Sequence, residues 1–323
     1  MATDIDRGPH QSDVDAATDL ASALYDNLSR VIRGKSEPIR MALVALLSGG
    51  HLLVEDVPGV GKTLLAKSLA CSIGGSFRRI QATSDLLPAD LTGVSVFHRS
   101  SEDWEFRAGP IFAHVVLVDE VNRATPRTQS ALLEAMEERQ VTVDGTSWKL
   151  PRPFFLVATQ NPFEHAGTFP LPEGQRDRFA VVIQMGYPDR SAEREVLAGQ
   201  GGIEQLDELK PVTDPESLES AIDAVRRVHC EASVADYVID ISTSTRRRPE
   251  VMLGASPRAS LNLLHAAQAH AAVVGRHYVT PDDVKAVAGP VLAHRLVLTG
   301  GPDIRAAGDV VRSVLESVPT PRP

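Results

Sequence analysis

Cysteine is nearly absent from this chain: Cys71 and Cys230 are the only two among 323 residues. Two cannot build a disulfide framework, neither has a partner at metal-ligand spacing, and such usage fits a reducing compartment. The ten histidines form no HExxH or similar pattern, so no metal site beyond one for Mg²⁺ is expected. Long apolar runs are missing too. The best candidate, residues 41–54, is broken by Ser48-Gly49-Gly50-His51, so no membrane insertion is expected. The first fifteen residues carry four aspartates and no apolar core, so no signal peptide is expected there and a cytoplasmic protein is. Basic excess is lacking as well: 33 Lys and Arg stand against 42 Asp and Glu, a net charge of −9. That argues against broad nucleic-acid binding, which rests on phosphate neutralisation. The one tight basic cluster, Arg246-Arg247-Arg248, sits beside Pro249 and reads as a solvated loop. Asn27-Leu28-Ser29 fits a glycosylation pattern that has no meaning in a cytoplasmic chain.

What is present is an ordinary globular balance, 43% hydrophobic and 23% charged, in a length that suits about two domains. Residues 1–20 read as a flexible arm, and residues 20–50 as helical with a break at Arg33-Gly34. Candidate strands follow at residues 51–54, 77–82, 115–118, 154–158 and 181–185, interleaved with helical patterns at 64–70 and 128–139. Continuous apolar strands are what a parallel sheet buried on both faces needs. Val141 to Trp148 reads as a hairpin around Asp144-Gly145. Residues 83–110, punctuated by Pro88, Gly93, Gly109 and Pro110, look irregular. Past Tyr187-Pro188 the strand signal stops. The expected division is an α/β nucleotide-binding domain over 21–190, a smaller all-α domain over 191–316 and a flexible tail over 317–323. No internal repeat is evident.

The chemistry concentrates in Glu55-Asp56-Val57-Pro58-Gly59-Val60-Gly61-Lys62-Thr63-Leu64. Strand, glycine loop, Gly-Lys-Thr and helix occur in the order that turns a phosphate-loop match into a mechanism. Gly59 and Gly61 free backbone N–H groups to cradle phosphates at a helix N-terminus. Lys62 reaches the β- and γ-phosphates, and the Thr63 hydroxyl ligates Mg²⁺. The strict pattern has glycine where Asp56 stands, which is tolerable only if the backbone there is not left-handed. A second signature is the apolar run ending in Asp119-Glu120. Beside a phosphate loop, Asp119 would orient Mg²⁺ and its waters while Glu120 polarises the attacking water. Asn161 follows the next strand at its carboxyl end, where ligands bind in parallel sheets. It reads equally well as a water-positioning residue or as an Asn-Pro turn.

These pieces, with Val118-Asp119-Glu120-Val121-Asn122-Arg123-Ala124, Gln129 through Thr142, Ala158-Thr159-Gln160-Asn161-Pro162, Phe169-Pro170-Leu171-Pro172-Glu173, Asp177-Arg178-Phe179 and Gly254-Ala255-Ser256-Pro257-Arg258, resemble a MoxR-family AAA+ ATPase over roughly residues 25–300. The resemblance implies a fold with a parallel-sheet AAA+ P-loop domain and an all-α lid. It makes residues 81–109 a helix-2 insertion and the Asp144-Gly145 turn a pre-sensor-1 hairpin. It makes Asp56 a family trait. It assigns Asn161 to sensor 1, Arg178 to an arginine finger acting on a neighbour's γ-phosphate, and Arg258 to sensor 2. The cofactor-binding set is then Pro58, Gly59, Val60, Gly61, Lys62, Thr63, Leu64 and Arg258, with Thr63 and Asp119 on the metal. Arg176 also brackets Asp177, so either arginine can be the finger; Arg178 matches the family position.

The implied activity is Mg²⁺-dependent ATP hydrolysis by a self-associating ring, a hexamer, that matures or activates partner complexes. A von Willebrand A-domain protein or an enzyme complex is the implied client. The alternatives are a nucleic-acid-associated AAA+ motor, a magnesium-chelatase-type motor subunit and a non-hydrolysing ATP switch. The acidic balance opposes the first, and the intact Glu120 opposes the last.

Overall fold

The computed structural model of the chain describes residues 9–100, 102–162, 167–199, 202–301 and 303–321. It begins with two helices, α1 (Pro9–Val31) and α2 (Ser36–Leu47). Val14, Ala17, Ala21, Leu24, Leu28 and Val31 are all buried, and their alternating three- and four-residue spacing is one face of a helix. The loose arm expected to residue 20 therefore gives way to helix from Pro9. The exposed Asp13 and Asp19 lie off that stripe and mask its first turns in the sequence.

Contacts divide the chain into two compact units: Asn27–Ile39 with His51–Glu216, and the residues up to Asp26 with Arg40–Gly50 and Ser217 onward. The first is the α/β unit. In chain order it holds β1 (Leu52–Glu55), α3 (Lys62–Ser72), β2 (Phe77–Gln81), α4 (Pro88–Thr92), β3 (Gly93–His98), β4 (Asp103–Ala108) and β5 (Val115–Asp119). It continues with α5 (Pro126–Glu138), β6 (Gln140–Val143), β7 (Thr146–Lys149), β8 (Phe155–Gln160), α6 (Glu173–Arg176), β9 (Val181–Ile183), α7 (Arg190–Leu197) and α8 (Ile203–Glu208). The unit runs to Glu216 rather than ending near residue 190, because α7 and α8 pack within it: Ala192 lies against Gly34 and α8 against α3.

Five strands form one parallel sheet in the order β2-β5-β8-β1-β9. Every residue of β1 and β5 is buried, which is why both read as unbroken apolar runs. Val116, Val118, Leu156 and Ala158 pack with Leu132, Leu133 and Met136 of α5 in one apolar cluster. Each large aliphatic side chain buried there contributes about 1.5–3 kcal/mol. Thr125 caps α5, its Oγ1 accepting the Thr128 N–H at 3.4 Å, and Pro126 fills the first helical position. Register sets Gln81 beside Asp119 and Glu55 beside Gln160, so the strands' carboxyl ends share one edge.

Two antiparallel hairpins, β3–β4 and β6–β7, stand apart from that sheet. Asp144 and Gly145 have φ of 51° and 79°, the left-handed pair that a two-residue hairpin turn requires. The stretch that looked irregular in sequence holds α4 and the six-residue arms of β3–β4. Those arms are largely solvent-facing on both sides, so no alternation marked them. Trp148 stacks on Phe106 with centroids 4.3 Å apart, joining the two hairpins, and Trp104 packs 5.3 Å from Phe97.

The second unit gathers α9 (Pro215–Val225), α10 (Ala232–Thr245), α11 (Pro257–Val273), α12 (Pro281–Leu292) and α13 (Ile304–Ser317). One short antiparallel pair, β10 (Val251–Leu253) with β11 (Val297–Leu298), lies among these helices. Its buried anchor is Asp283. The carboxylate accepts the Thr280 N–H at 2.8 Å and hydroxyl at 2.7 Å, Arg276 Nη1 at 2.6 Å and His270 Nδ1 at 2.7 Å. Two members of the arginine cluster are spent internally. Arg246 Nε donates to the Ala255 carbonyl at 2.7 Å, and Arg248 Nη2 donates to the Ser313 carbonyl at 3.0 Å, near the end of α13. Among the described residues no helix is long and apolar enough to cross a membrane.

Candidate active site

The phosphate loop leaves β1 at Glu55 and enters α3 at Lys62. Asp56 extends the sheet edge by one bond, its N–H donating to the Gln160 carbonyl at 3.0 Å. Its backbone is not left-handed, so the position imposes no need for glycine. Gly59 and Gly61 are different, with φ of 86° and 96°. A side chain there would be strained, and one at Gly59 would project into open space. The first N–H groups of α3 have no intrahelical acceptor and face an anion-binding end. Pro58 and Gly59 are exposed, Val60 is buried, and Gly61, Lys62, Thr63 and Leu64 are half-buried. Lys62 Nζ donates to the Asp56 carbonyl at 2.8 Å. Burial lowers the lysine's pKa, while the charges of Asp56, Asp119 and Glu120 pull it back up. A cation, free N–H donors and an open glycine cradle fit a polyphosphate.

At the adjoining edge of β5 the two acids are held by four side chains. Arg79 Nε donates to Asp119 Oδ2 at 2.6 Å. The Thr159 hydroxyl donates to Asp119 Oδ1 at 3.2 Å and accepts the Glu120 N–H at 2.9 Å. Glu120 Oε2 accepts Gln81 Nε2 at 3.1 Å and pairs with Arg123 Nε at 3.1 Å. Glu120 itself is left-handed, with φ 56° and ψ 50°. Such a conformation costs about 1–3 kcal/mol and is retained where the surroundings over-determine it. Asp119 and the Thr63 hydroxyl supply hard oxygen ligands of the kind Mg²⁺ takes. None of Arg79, Gln81, Arg123 and Thr159 was assigned a role from sequence. Arg79 and Gln81 are two apart on β2 and so share the face toward the acids, a signal that needs the β2–β5 pairing to be read.

Residues 51–181 match the family described as ATPase family associated with various cellular activities (AAA), and residues 243–316 match the AAA lid domain. The protein YeaC of Bacillus subtilis is 46% identical, over 94% of this chain and 95% of its own length. Chaperone MoxR1 of Mycobacterium tuberculosis is 40% identical, over 94% of this chain and 82% of its own. This chain belongs to the MoxR family of AAA+ ATPases. A solved structure from Cytophaga hutchinsonii assigned as an ATPase has the same fold, with TM-score 0.85 and 33% identity, covering 97% of this chain and 98% of that one.

The remaining family positions can now be located in this MoxR-family chain. Asn161 is the first residue beyond β8 and is half-buried. Arg176 and Arg178 diverge. Burial raises the pKa of Glu55 at the end of β1, and the charge of Arg176 pulls it back down. Arg178 lies instead on α5: Nη1 donates to the Leu133 carbonyl at 2.8 Å and pairs with Glu137 Oε2 at 2.9 Å. It borders a cleft of about 300 Å³ walled by Glu134, Glu137 and Glu138. Arg258 is an exposed residue in the first turn of α11, which Ser256 caps at 3.1 Å. It belongs to the helical unit.

Proposed function

We propose that this MoxR-family ATPase hydrolyses ATP with Mg²⁺ as a cytoplasmic hexameric ring and uses the cycle to remodel, mature or activate partner protein complexes. The observation that carries the reading is that α3, which Lys62 begins, packs on β5, which ends in Asp119 and leads into Glu120, so that both acids act on the lysine's charge. In this reading residues 58–64 hold the triphosphate, and Thr63 and Asp119 hold the metal. Mg²⁺ held there would supply positive charge against the phosphates. Glu120 orients a water and takes its proton as the water oxygen bonds the γ-phosphorus. The bond to the β-phosphate oxygen breaks, leaving ADP and phosphate. Asn161 aligns that water. Arg178 leaves Glu137 to reach a neighbour's γ-phosphate, and Arg258 reports nucleotide state from the helical unit.

The client is a protein complex, with a von Willebrand A-domain partner as the first candidate; the relative named as a chaperone supports this direction. Arg178→Ala should lose turnover while keeping ATP binding, and turnover at the parent rate would remove the ring argument. For the client, the test is ATP-dependent capture from native lysate on Glu120→Gln, with Lys62→Ala as control. Recovery of an A-domain protein or enzyme complex supports maturation. Nuclease-sensitive recovery of DNA replaces this reading with a nucleic-acid motor.

A further inference from the structure

The aspartate that replaces glycine in the strict phosphate-loop pattern makes bonds a glycine cannot. Asp56 Oδ1 accepts the Val57 N–H at 2.7 Å, and Oδ2 accepts the Gly186 N–H at 2.6 Å, across 130 positions of sequence. The Gly186 carbonyl in turn accepts Lys35 Nζ at 2.8 Å. The backbone of one residue, Gly186, therefore bridges an acid in the loop and a lysine in the link between α1 and α2. Lys35 is 7% exposed, and a buried ammonium is retained only when paired. Burial lowers its pKa, and Asp56 and Asp189 counter that fall. Three residues past Gly186, Asp189 caps α7 by accepting the Ala192 N–H at 2.8 Å, and Ala192 packs on Gly34 beside Lys35. The loop, the link before β1 and the segment leaving β9 are thus fastened at one point.

We propose that Asp56 is a positioning residue that sets the posture of the phosphate loop by tying it to Gly186, with Lys35 as the second tie. This rests on the ATP-binding reading above. The same aspartate's carbonyl accepts Lys62 Nζ at 2.8 Å, so the residue fixes both the loop's entry and the resting place of its lysine. A loop held this way binds phosphate without first having to be ordered, and losing the tie adds that ordering cost to every binding event. The acceptor count predicts a graded series: aspartate offers two oxygens, asparagine one, glycine none. Asp56→Gly is the informative change, because it restores the strict phosphate-loop pattern.

The experiment measures binding of a fluorescent ATP analogue, and of its ADP counterpart, to the full-length parent, Asp56→Asn, Asp56→Gly, Lys35→Met and the double variant Asp56→Gly with Lys35→Met. Lys62→Ala is the binding control, and thermal melts run in parallel. The expected result is a Kd for both nucleotides about tenfold higher in Asp56→Gly, equivalent to about 1.4 kcal/mol. Asp56→Asn falls in between, and the double variant loses less than the sum of the singles. In turnover assays the loss appears in KM ahead of kcat. Parent-like Kd in Asp56→Gly overturns the proposal and leaves ATP binding standing, as does a lower melting temperature with unchanged Kd. Additive losses in the double variant overturn the link through Lys35. A parent that binds no better than Lys62→Ala removes the ATP-binding reading and this proposal together.

Discussion

Replacing His51 with glutamine should flatten the acid limb of this protein's stability. His51 immediately precedes β1 and is fully buried in the α/β unit. Its Nδ1 accepts the Leu156 N–H at 3.1 Å, so Nε2 carries the proton and donates to the Met136 carbonyl, also at 3.1 Å. A second proton would land on Nδ1, facing a donor. Burial, helped by the charge of Arg139, lowers the histidine pKa from 6.5 to about 4, although the Met136 bond opposes the fall. The folded state therefore binds fewer protons than the unfolded state throughout that window, and stability is complete above pH 6.5 and drains as pH falls toward 4. The full loss is about 3 kcal/mol at about 1.4 kcal/mol per unit. Between pH 7.5 and 5 it amounts to about 2 kcal/mol. Glutamine keeps a donor and an acceptor at the site but cannot be protonated. Urea unfolding of parent and His51→Gln at both pH values isolates the effect, because the other histidines are common to both. The parent should lose about 2 kcal/mol more than the variant over that interval. Equal losses in the two proteins, or an imidazole NMR titration with a midpoint near 6.5, would refute the reasoning.

Thr159→Val removes a hydroxyl that bonds both Asp119 and the Glu120 backbone while keeping the side chain's shape; turnover should fall about tenfold or more at near-parent ATP affinity, an interaction worth about 1.4 kcal/mol or more, read by single-turnover kinetics. Asp283→Asn should cost about 3 kcal/mol in urea melts at neutral pH, since it leaves the Arg276 charge without its buried partner. Burial alone would raise the Asp283 pKa, but bonds from His270, Arg276 and Thr280 outweigh it and hold the group well below the usual carboxylate range. Its contribution is therefore present above about pH 4 and fades below it, so the parent–variant gap should narrow in acid.

The parallel sheet was legible because β1, β5 and β8 are buried on both faces and cannot hide among polar residues. The loop and the two acids were legible because phosphate chemistry restricts residue type and spacing together. What escaped depended on neighbours far away in sequence. The first turns of α1, with Val14 and Ala17, were masked by Asp13 and Asp19 on another face. The β3–β4 arms had no buried side to impose alternation. Thr159, Gln81 and Arg79 matter only through strands paired 40 or so positions away, as the 40-position separation of Arg79 and Asp119 illustrates. Asp56 looked like a tolerated departure from pattern because its partner, Gly186, carries no side chain to signal it.

The most direct test of the central claim is phosphate release from ATP by the purified full-length chain, measured with and without Mg²⁺ for the parent, Lys62→Ala and Glu120→Gln, alongside equilibrium ATP binding. The expected result is Mg²⁺-dependent release by the parent, loss of both binding and release in Lys62→Ala, and retained binding without release in Glu120→Gln. Release by Glu120→Gln at the parent rate, or a parent that binds ATP and never releases phosphate, would contradict it.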